Sequence, residues 1–173
     1  MLEYIRFLLA NPRILGFGFL LTFCSAFGQT YFIALFSDEL RAVFDLGHGP
    51  FGTVYSLATL TSAALMIWGG QLIDRFDLRH YALGVCLLMT AAAAFMWWLP
   101  GGSVAFLYVA FLLLRFGGQG LLSHAGMTAV ARYLADGRGK GIAVASLGFS
   151  ASEAVLPLVV IGLLATMGWQ TLW

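Results

Sequence analysis

The chain has 173 residues, of which 61% are hydrophobic and 10% are charged, and its mean hydropathy is +0.90. A soluble domain is typically about 45–50% apolar and about 25% charged, so this chain has too few polar residues to cover a soluble surface. The net charge of +1, without a block of Lys and Arg residues, gives no indication of a nucleic-acid partner.

Five apolar stretches are long enough to cross a bilayer as helices, for which about 20 residues are needed. The first is too long for the apolar core of a cleavable signal sequence, so we predict that it remains as a membrane anchor. The alternating pattern of barrel strands is absent, and the predicted fold is an all-α integral membrane protein. In chain order, the predicted spans 1 to 5 comprise residues 14–36, 51–73, 81–99, 104–130 and 141–167.

The basic residues indicate how the chain is oriented, because cytoplasmic segments carry an excess of Lys and Arg. If the N-terminus is cytoplasmic, only Arg41 among the loop bases falls outside, and Trp97 and Trp98 mark the outer interface. We therefore predict a multi-pass protein of the plasma (inner) membrane with a cytoplasmic N-terminus. The bases that fall inside are Arg6, Arg13, Arg75, Arg79, Arg132, Arg138 and Lys140.

Polar residues recur at helical spacing in four of the five spans. Polar side chains in a bilayer tend to face a bundle interior or a water-filled cavity, so this spacing identifies one face of each helix. Span 3 offers only Cys86 and Thr90 and is predicted to be peripheral. The other spans are predicted to share a polar interior lined by Thr22, Ser25 and Gln29, by Tyr55, Thr59 and Ser62, by Arg115 and Gln119, and by Ser146, Ser150 and Glu153.

Small hydroxyl residues have an alternative explanation, because they also let helices pack closely and exchange hydrogen bonds. Arg115 and Glu153 fit that explanation less well, since a charge at the membrane centre costs about 2.5–3.5 kcal/mol on insertion scales. A rise of about 1.5 Å per residue places Arg115 about 16 Å and Glu153 about 18 Å from the ends of their spans, near the midplane. We hypothesise an Arg115–Glu153 ion pair that protonation of Glu153 would open. Pro157, one turn further on, is predicted to bend span 5.

The remaining reactive residue types give no indication of catalysis. Cys24 and Cys86 lie inside apolar runs without metal-ligand or disulfide spacing, and are predicted to be small buried hydrophobic residues. The three histidines form neither a metal set nor a His–carboxylate pair at usable spacing. We therefore predict no enzyme, no cofactor and no metal site.

Charges are concentrated in the stretch GGQLIDRFDLRHY, residues 69–81, which joins spans 2 and 3. The stretch resembles the signature G-x-L-x-D-R-x-G-R-R of the major facilitator superfamily at Gly70, Leu72, Asp74, Arg75 and Arg79. Two residues depart from it, because Asp77 stands in place of the second glycine and Leu78 in place of the first of the two final basic residues. We expect the Asp77 carboxylate to cap span 3 instead.

Three further segments carry the same resemblance. LLLRFGGQG, which contains Arg115, is similar to the arginine motif of the superfamily's fourth helix, although its glycines are shifted. ARYLADGRGKGIA, residues 131–143, resembles the basic link between helices 4 and 5. GWQTLW, at the end of the chain, resembles the outer turn that leads into helix 6.

The resemblance implies an incomplete N-terminal six-helix bundle of a secondary transporter that works by alternating access. In such a bundle, spans 1, 2, 4 and 5 line the path of a small solute. Arg115 favours an anionic or carboxylate-bearing solute, with coupling to protons or another ion. The residues expected along the path are Arg115, Glu153, Gln29, Gln119, Tyr55, Thr59 and Ser150.

The resemblance also implies a conformational switch in the loop between spans 2 and 3. Asp74 is expected to contact the N-terminus of a helix in the second half, where a carboxylate is favoured by the helix dipole. Gly70, Asp74, Arg75 and Arg79 are the residues of this predicted switch.

Five spans are fewer than the superfamily requires, since its members have about twelve helices in two halves. We expect residues 1–173 to be a fragment of a longer transporter, or to be completed by another chain. The alternative is a small non-transporting membrane subunit that stabilises a partner protein. A native reading frame that continues past Trp173 would distinguish the two.

Overall fold

Five apolar helical spans make up most of the structure. A computed structural model describes residues 2–173, and no strand occurs in that range. The ends of the spans lie within three residues of the predicted ends, and the all-helical membrane architecture predicted from the sequence is confirmed. Span 1 is Pro12–Ala34, span 2 is His48–Arg75, span 3 is Leu78–Trp98, span 4 is Val104–Tyr133 and span 5 is Arg138–Leu164.

Spans 1, 2 and 4 are not regular helices along their whole length. Span 1 consists of the helix Pro12–Cys24, a 3-10 turn at Ser25–Gly28, one extended residue and the helix Thr30–Ala34. Span 2 is divided into His48–Gly69 and Leu72–Arg75. Span 4 consists of Val104–Leu114, a π-helical turn at Arg115–Leu122, and Ser123–Tyr133. Spans 3 and 5 are continuous, and span 5 remains helical through Pro157.

Three short elements lie outside the spans, and the two helices among them were not predicted from the sequence. The helix Leu2–Ala10, called here the N-terminal helix, precedes span 1. The helix Ser37–Phe44 follows span 1, where a connecting stretch was predicted. Its first turn contains Asp38 and Glu39, which favour a helix N-terminus, and it buries Leu40 and Phe44 at a spacing of four. A 3-10 turn, Trp169–Leu172, ends the chain.

The helix caps explain where spans 3 and 4 begin. The Asp77 carboxylate accepts a hydrogen bond of 2.8 Å from the Arg79 backbone N–H, so the predicted cap of span 3 is confirmed. The Ser103 hydroxyl accepts from the Ala105 N–H at the start of span 4. Each cap satisfies one of the backbone donors that the first turn of a helix leaves free.

Spans 1 and 4 form the centre of the structure. Spans 2 and 3 pack against span 4, and span 5 packs against span 1 and the last helix of span 4. Span 3 therefore lies at the edge of the bundle, and its packed face repeats at helical spacing through Tyr81, Val85, Met89, Ala92 and Met96. Within residues 2–173, spans 2 and 5 flank the central pair separately, and the shared polar interior of spans 1, 2, 4 and 5 stays a prediction.

Cys24 and Cys86 are exposed, so the prediction that both are buried is wrong. They line a cavity of about 400 Å³ between spans 1 and 3, together with Met89, Thr90 and other residues. An apolar sequence environment does not distinguish a face packed against protein from one that faces lipid, because both are apolar.

Candidate functional site

The backbones of spans 1 and 4 touch at the centre of the structure. A Cβ atom placed on Gly28 would lie 2.1 Å from the Leu114 carbonyl oxygen, and one on Gly118 would lie 2.7 Å from the Gly28 Cα. Real Cβ atoms do not approach other atoms so closely, so only glycine fits at either position. Small residues commonly permit such crossings in membrane bundles. We call this contact the Gly28–Gly118 crossing.

Both helices are irregular where they cross. Span 1 narrows into its 3-10 turn, and Gln29 is extended, with φ −79° and ψ 150°. Span 4 widens into the π-helical turn Arg115–Leu122. An irregular backbone leaves carbonyl groups without their usual helical partners, and inside a membrane those groups must be satisfied by protein or by enclosed water. Turns of the π type occur frequently at functional sites.

Arg115 stabilises the break in span 1. Its Nη1 donates hydrogen bonds to the Gly28 carbonyl oxygen at 3.0 Å and to the Thr30 hydroxyl at 3.2 Å. The side chain is only 6% exposed, and its Nε has no hydrogen-bond partner among the described residues. No ion pair joins this guanidinium to a carboxylate within residues 2–173. A buried positive charge is therefore held by neutral oxygens.

Tyr55 completes the surroundings of the guanidinium from span 2. The centre of its ring lies 5.3 Å from Arg115 Cζ, within the range of a cation–π interaction. Its hydroxyl lies 2.8 Å from the Thr30 hydroxyl, and its ring packs edge-on against Phe111. Spans 1, 2 and 4 thus each contribute to one polar cluster, which we call the Arg115 cluster: Gly28, Thr30, Tyr55 and Arg115.

The loop between spans 2 and 3 is tied to the end of span 4. Arg132 donates one hydrogen bond to the Asp74 carboxylate and another, of 3.2 Å, to the Ile73 carbonyl oxygen. Nε2 of His124 lies 3.1 Å from the Gly70 carbonyl oxygen. A carbonyl only accepts, so this contact requires the hydrogen on Nε2. Arg75 and Arg79 are exposed.

A polar cluster at broken helices inside a bundle of apolar spans is a feature that many membrane transporters share. The family model described as Major Facilitator Superfamily matches residues 18–173. The chain belongs to the major facilitator superfamily. Comparison with curated proteins and with solved structures gives no match. Membership in this family makes the chain a multi-pass membrane protein of the transporter class, and the resemblance found in the sequence is confirmed.

The superfamily motif around Arg115 contains the π-helical turn. Arg115 is buried whereas Gln119, which was predicted to share its face of span 4, is exposed. Hydrogen bonds between residues five apart widen the turn and change which side chains lie above one another.

Three predicted path residues lie beside the break or on span 2. The Gln29 side chain donates to the Ser25 hydroxyl at 3.5 Å. Tyr55 belongs to the Arg115 cluster. The Thr59 hydroxyl is buried and has no hydrogen-bond partner among the described residues, and Ser62, on the same side of span 2, is 5% exposed.

The hypothetical Arg115–Glu153 ion pair is wrong in this structure. Glu153 and Ser150 lie on exposed positions of span 5, whereas Gly148 and Ser152 are buried on the opposite side, towards span 1. Being neighbours in sequence makes spans 4 and 5 antiparallel, but it does not determine which face of each helix meets the other. The Arg115 guanidinium turns towards span 1 instead.

Several polar contacts between spans were not predicted from the sequence. The Thr22 hydroxyl lies 2.6 Å from the Ala145 carbonyl oxygen of span 5, and a Cβ atom on Gly148 would lie 2.1 Å from the same hydroxyl. Tyr31 donates to Ser152 at 2.9 Å. The stretch GQTY, residues 28–31, carried a signal for Thr30 and Tyr31, because three consecutive polar side chains are unusual within an apolar span.

Proposed function

We propose that the chain is part of a secondary active transporter that moves a small organic anion by alternating access, and that Arg115 recognises the anion. The observation that supports this proposal most directly is the buried Arg115 side chain, held by one carbonyl and one hydroxyl and not by a carboxylate. A carboxylate group of the solute would supply the missing negative charge.

The electrostatics of the cluster favour an anionic solute. Burial of an unpaired charge is unfavourable, and a cation–π contact with Tyr55 offsets only part of that cost, about 2 kcal/mol in a desolvated site. Arginine and a carboxylate form two parallel charge-assisted hydrogen bonds, which are about twice as strong as bonds between neutral groups. A bound anion is therefore a better partner for Arg115 than the groups that hold it now.

Binding at Arg115 requires a movement, because its side chain is 6% exposed. A solute carboxylate would compete with the Gly28 carbonyl and the Thr30 hydroxyl for the guanidinium donors. Release of these two groups would loosen the break in span 1. A ligand can shift a conformational equilibrium only through its different affinities for the two states, and this competition provides such a difference.

The exposed polar residues of the other spans fit a path completed by a second half. Gln119, Ser150 and Glu153 lie on surfaces that nothing within residues 2–173 covers. We propose that the second half, from the same longer chain or from a partner chain, encloses these residues around water. Glu153 then becomes available for proton or ion coupling without a direct contact to Arg115. Asp74, paired with Arg132 here, remains available to the second half because it is exposed.

The proposed orientation places the N-terminus in the cytoplasm and the protein in the inner membrane. The bases near the start of span 1, in the loop between spans 2 and 3, and in the turn between spans 4 and 5 all lie at the same end of the helices. This distribution supports the orientation because positive charge is retained on the cytoplasmic side.

Uptake of radiolabelled carboxylates tests the role of Arg115 in cells that produce the transporter from its native reading frame. We expect Arg115→Gln to reduce uptake at least tenfold, since it removes the charge, and Arg115→Lys to recover only part of it. Amides of the same acids should not compete. Arg138→Gln removes a base that lies at the membrane surface and should leave uptake unchanged.

Uptake that persists in Arg115→Gln would overturn the proposed role. Equal competition by the carboxylates and by their amides would show that charge recognition lies elsewhere. The same assay with an imposed pH gradient tests Glu153, because Glu153→Gln should make uptake independent of the gradient if the carboxylate carries the proton. A response to the gradient that is unchanged in this variant would exclude that role.

A further inference from the structure

A cavity of about 660 Å³ lies outside the bundle, beneath the N-terminal helix. One wall is a face of that helix, where the lining residues Glu3, Arg6, Phe7 and Ala10 recur at helical spacing. The opposite wall is the turn between spans 4 and 5, with Tyr133, Asp136 and Lys140 among its residues. The volume lies within the range of about 300–1,000 Å³ that is usual for small-molecule sites.

The walls of this cavity are fixed by packing. The Phe7 ring fits against Gly137, where a Cβ atom would lie 2.7 Å from Cε2 of the ring and where the backbone has a φ of +82°. Both the contact and the left-handed backbone require glycine. Phe7 also packs on a small cluster that contains Val130 and Leu134. The Asn11 amide donates to the Phe7 carbonyl oxygen at 3.1 Å and closes the end of the helix.

Charges of both signs face the cavity without pairing with one another. Arg6 and Lys140 provide two cations, and Glu3 and Asp136 provide two carboxylates. None of the four takes part in an ion pair within the described residues. A ligand that carries both a phosphate and an ammonium group matches this arrangement. A purely anionic ligand does not, because the carboxylates would repel it.

The cavity is located where a lipid head group would lie. It sits at the end of span 4 and at the starts of spans 5 and 1, hence at the membrane surface. The other face of the N-terminal helix exposes Ile5 and Leu9, one turn apart, with Leu9 75% exposed. Helices with one apolar and one charged face lie in the interface, with the apolar face directed to the acyl chains. Exposed Tyr133 is also typical of an interfacial position.

We infer that this cavity binds the head group of an ethanolamine phospholipid. The phosphate contacts Arg6 and Lys140, and the primary ammonium donates hydrogen bonds to Glu3 and Asp136. A choline head group presents the same phosphate, but its quaternary ammonium has no N–H to donate. The carboxylates thus distinguish ethanolamine from choline. This inference depends on membrane insertion alone and not on the proposed anion transport.

Native mass spectrometry of the transporter produced from its native reading frame, delipidated and purified in detergent, tests the inference. Phosphatidylethanolamine and phosphatidylcholine with identical acyl chains are added at equal concentration. We expect the ethanolamine lipid to be retained about fivefold more, as charge-assisted hydrogen bonds contribute that much or more. Glycerophosphoethanolamine should compete for the site, whereas inorganic phosphate at the same concentration should not.

Two double variants separate the contributions of the phosphate and the ammonium group. E3Q/D136N should lower retention of the ethanolamine lipid to that of the choline lipid, and leave the latter unchanged. R6Q/K140Q should lower the retention of both lipids about fivefold. Arg138→Gln is the control, because it removes a base from the same turn that does not line the cavity.

Equal retention of the two lipids by the unmodified chain would overturn the inference, and so would an ethanolamine preference that survives in E3Q/D136N. Circular dichroism and size-exclusion chromatography establish that each variant is folded. If R6Q/K140Q does not fold, E3Q/D136N still decides the outcome, because it keeps the bases and changes only the two carboxylates. A preference for free phosphate over the glycerophosphoethanolamine competitor would show an anion site instead.

Discussion

At the scale of single residues, the Thr22 hydroxyl gives the clearest link between two spans. It is fully buried and lies 2.6 Å from the Ala145 carbonyl oxygen on span 5. We expect Thr22→Val, which keeps the shape and removes the donor, to destabilise the protein by about 1 kcal/mol. The measurement is the amount of sodium dodecyl sulfate that unfolds half of the protein in mixed micelles.

Thr90→Val is the matched control for this prediction. The Thr90 hydroxyl is exposed and donates only to the Cys86 carbonyl oxygen of its own helix. The substitution therefore removes a similar group without separating two spans, and the unfolding midpoint should not change. Equal midpoints for Thr22→Val and the unmodified protein would mean that the hydroxyl is not a net link between spans 1 and 5.

Two carboxylates of the charged loop have different roles although they are only three residues apart. Asp77 bonds the backbone of its own helix and determines where span 3 begins. Asp74 bonds Arg132 and joins the loop to the end of span 4. Exposed ion pairs contribute about 0–1 kcal/mol, so the Asp74–Arg132 pair positions the loop more than it stabilises the fold.

At the scale of helices, the Gly28–Gly118 crossing allows the closest approach between spans 1 and 4. We expect Gly118→Ala to destabilise the protein by about 3 kcal/mol or more, because the added methyl group would meet the Gly28 backbone at 2.7 Å. Backbone atoms cannot adopt another rotamer as a side chain can, so the two spans would have to move apart. The thermal midpoint and the monodisperse fraction in size-exclusion chromatography report the loss.

Gly84→Ala provides the control within the same bundle. Gly84 lies in span 3, and a Cβ atom there meets nothing within 4 Å. The alanine has the higher helix propensity, so this variant should match the unmodified protein or gain up to about 1 kcal/mol. If Gly84→Ala and Gly118→Ala have the same thermal midpoint, the close approach of the backbones at the Gly28–Gly118 crossing does not require glycine.

The five spans could be predicted because a bilayer requires long apolar segments, and these are visible in the sequence. The break in span 1 and the wide turn of span 4 could not be predicted in the same way, since hydropathy is unchanged by either. Of the Arg115 cluster, Arg115 was predicted from its charge and depth, and Tyr55 from the spacing of polar residues in span 2. Gly28 and Thr30 were missed, because their part in the cluster depends on the break itself.

At the scale of the whole molecule, spans 1 and 4 have corresponding positions. Span 5 packs on span 1 as span 2 packs on span 4, and the two central spans meet at the Gly28–Gly118 crossing. Such an arrangement resembles the internal repeats of transporter folds, whose binding sites lie at broken helices near the membrane midplane. It places the Arg115 cluster between the repeated units, where a relative movement of the two would change its contacts.

The exposed polar face of span 5 makes the last prediction possible. Ser150 and Glu153 lie on that face, and a polar stripe in contact with lipid would be unfavourable. If the second half encloses this face around water, Ser150→Cys, introduced after both native cysteines are replaced by serine, should react with a membrane-impermeant maleimide in the complete transporter. Leu87→Cys, at a position that is also exposed but on peripheral span 3, should not react because lipid covers it. Labelling of Leu87→Cys at the rate of Ser150→Cys would contradict the enclosed face, since water would then reach both helices alike.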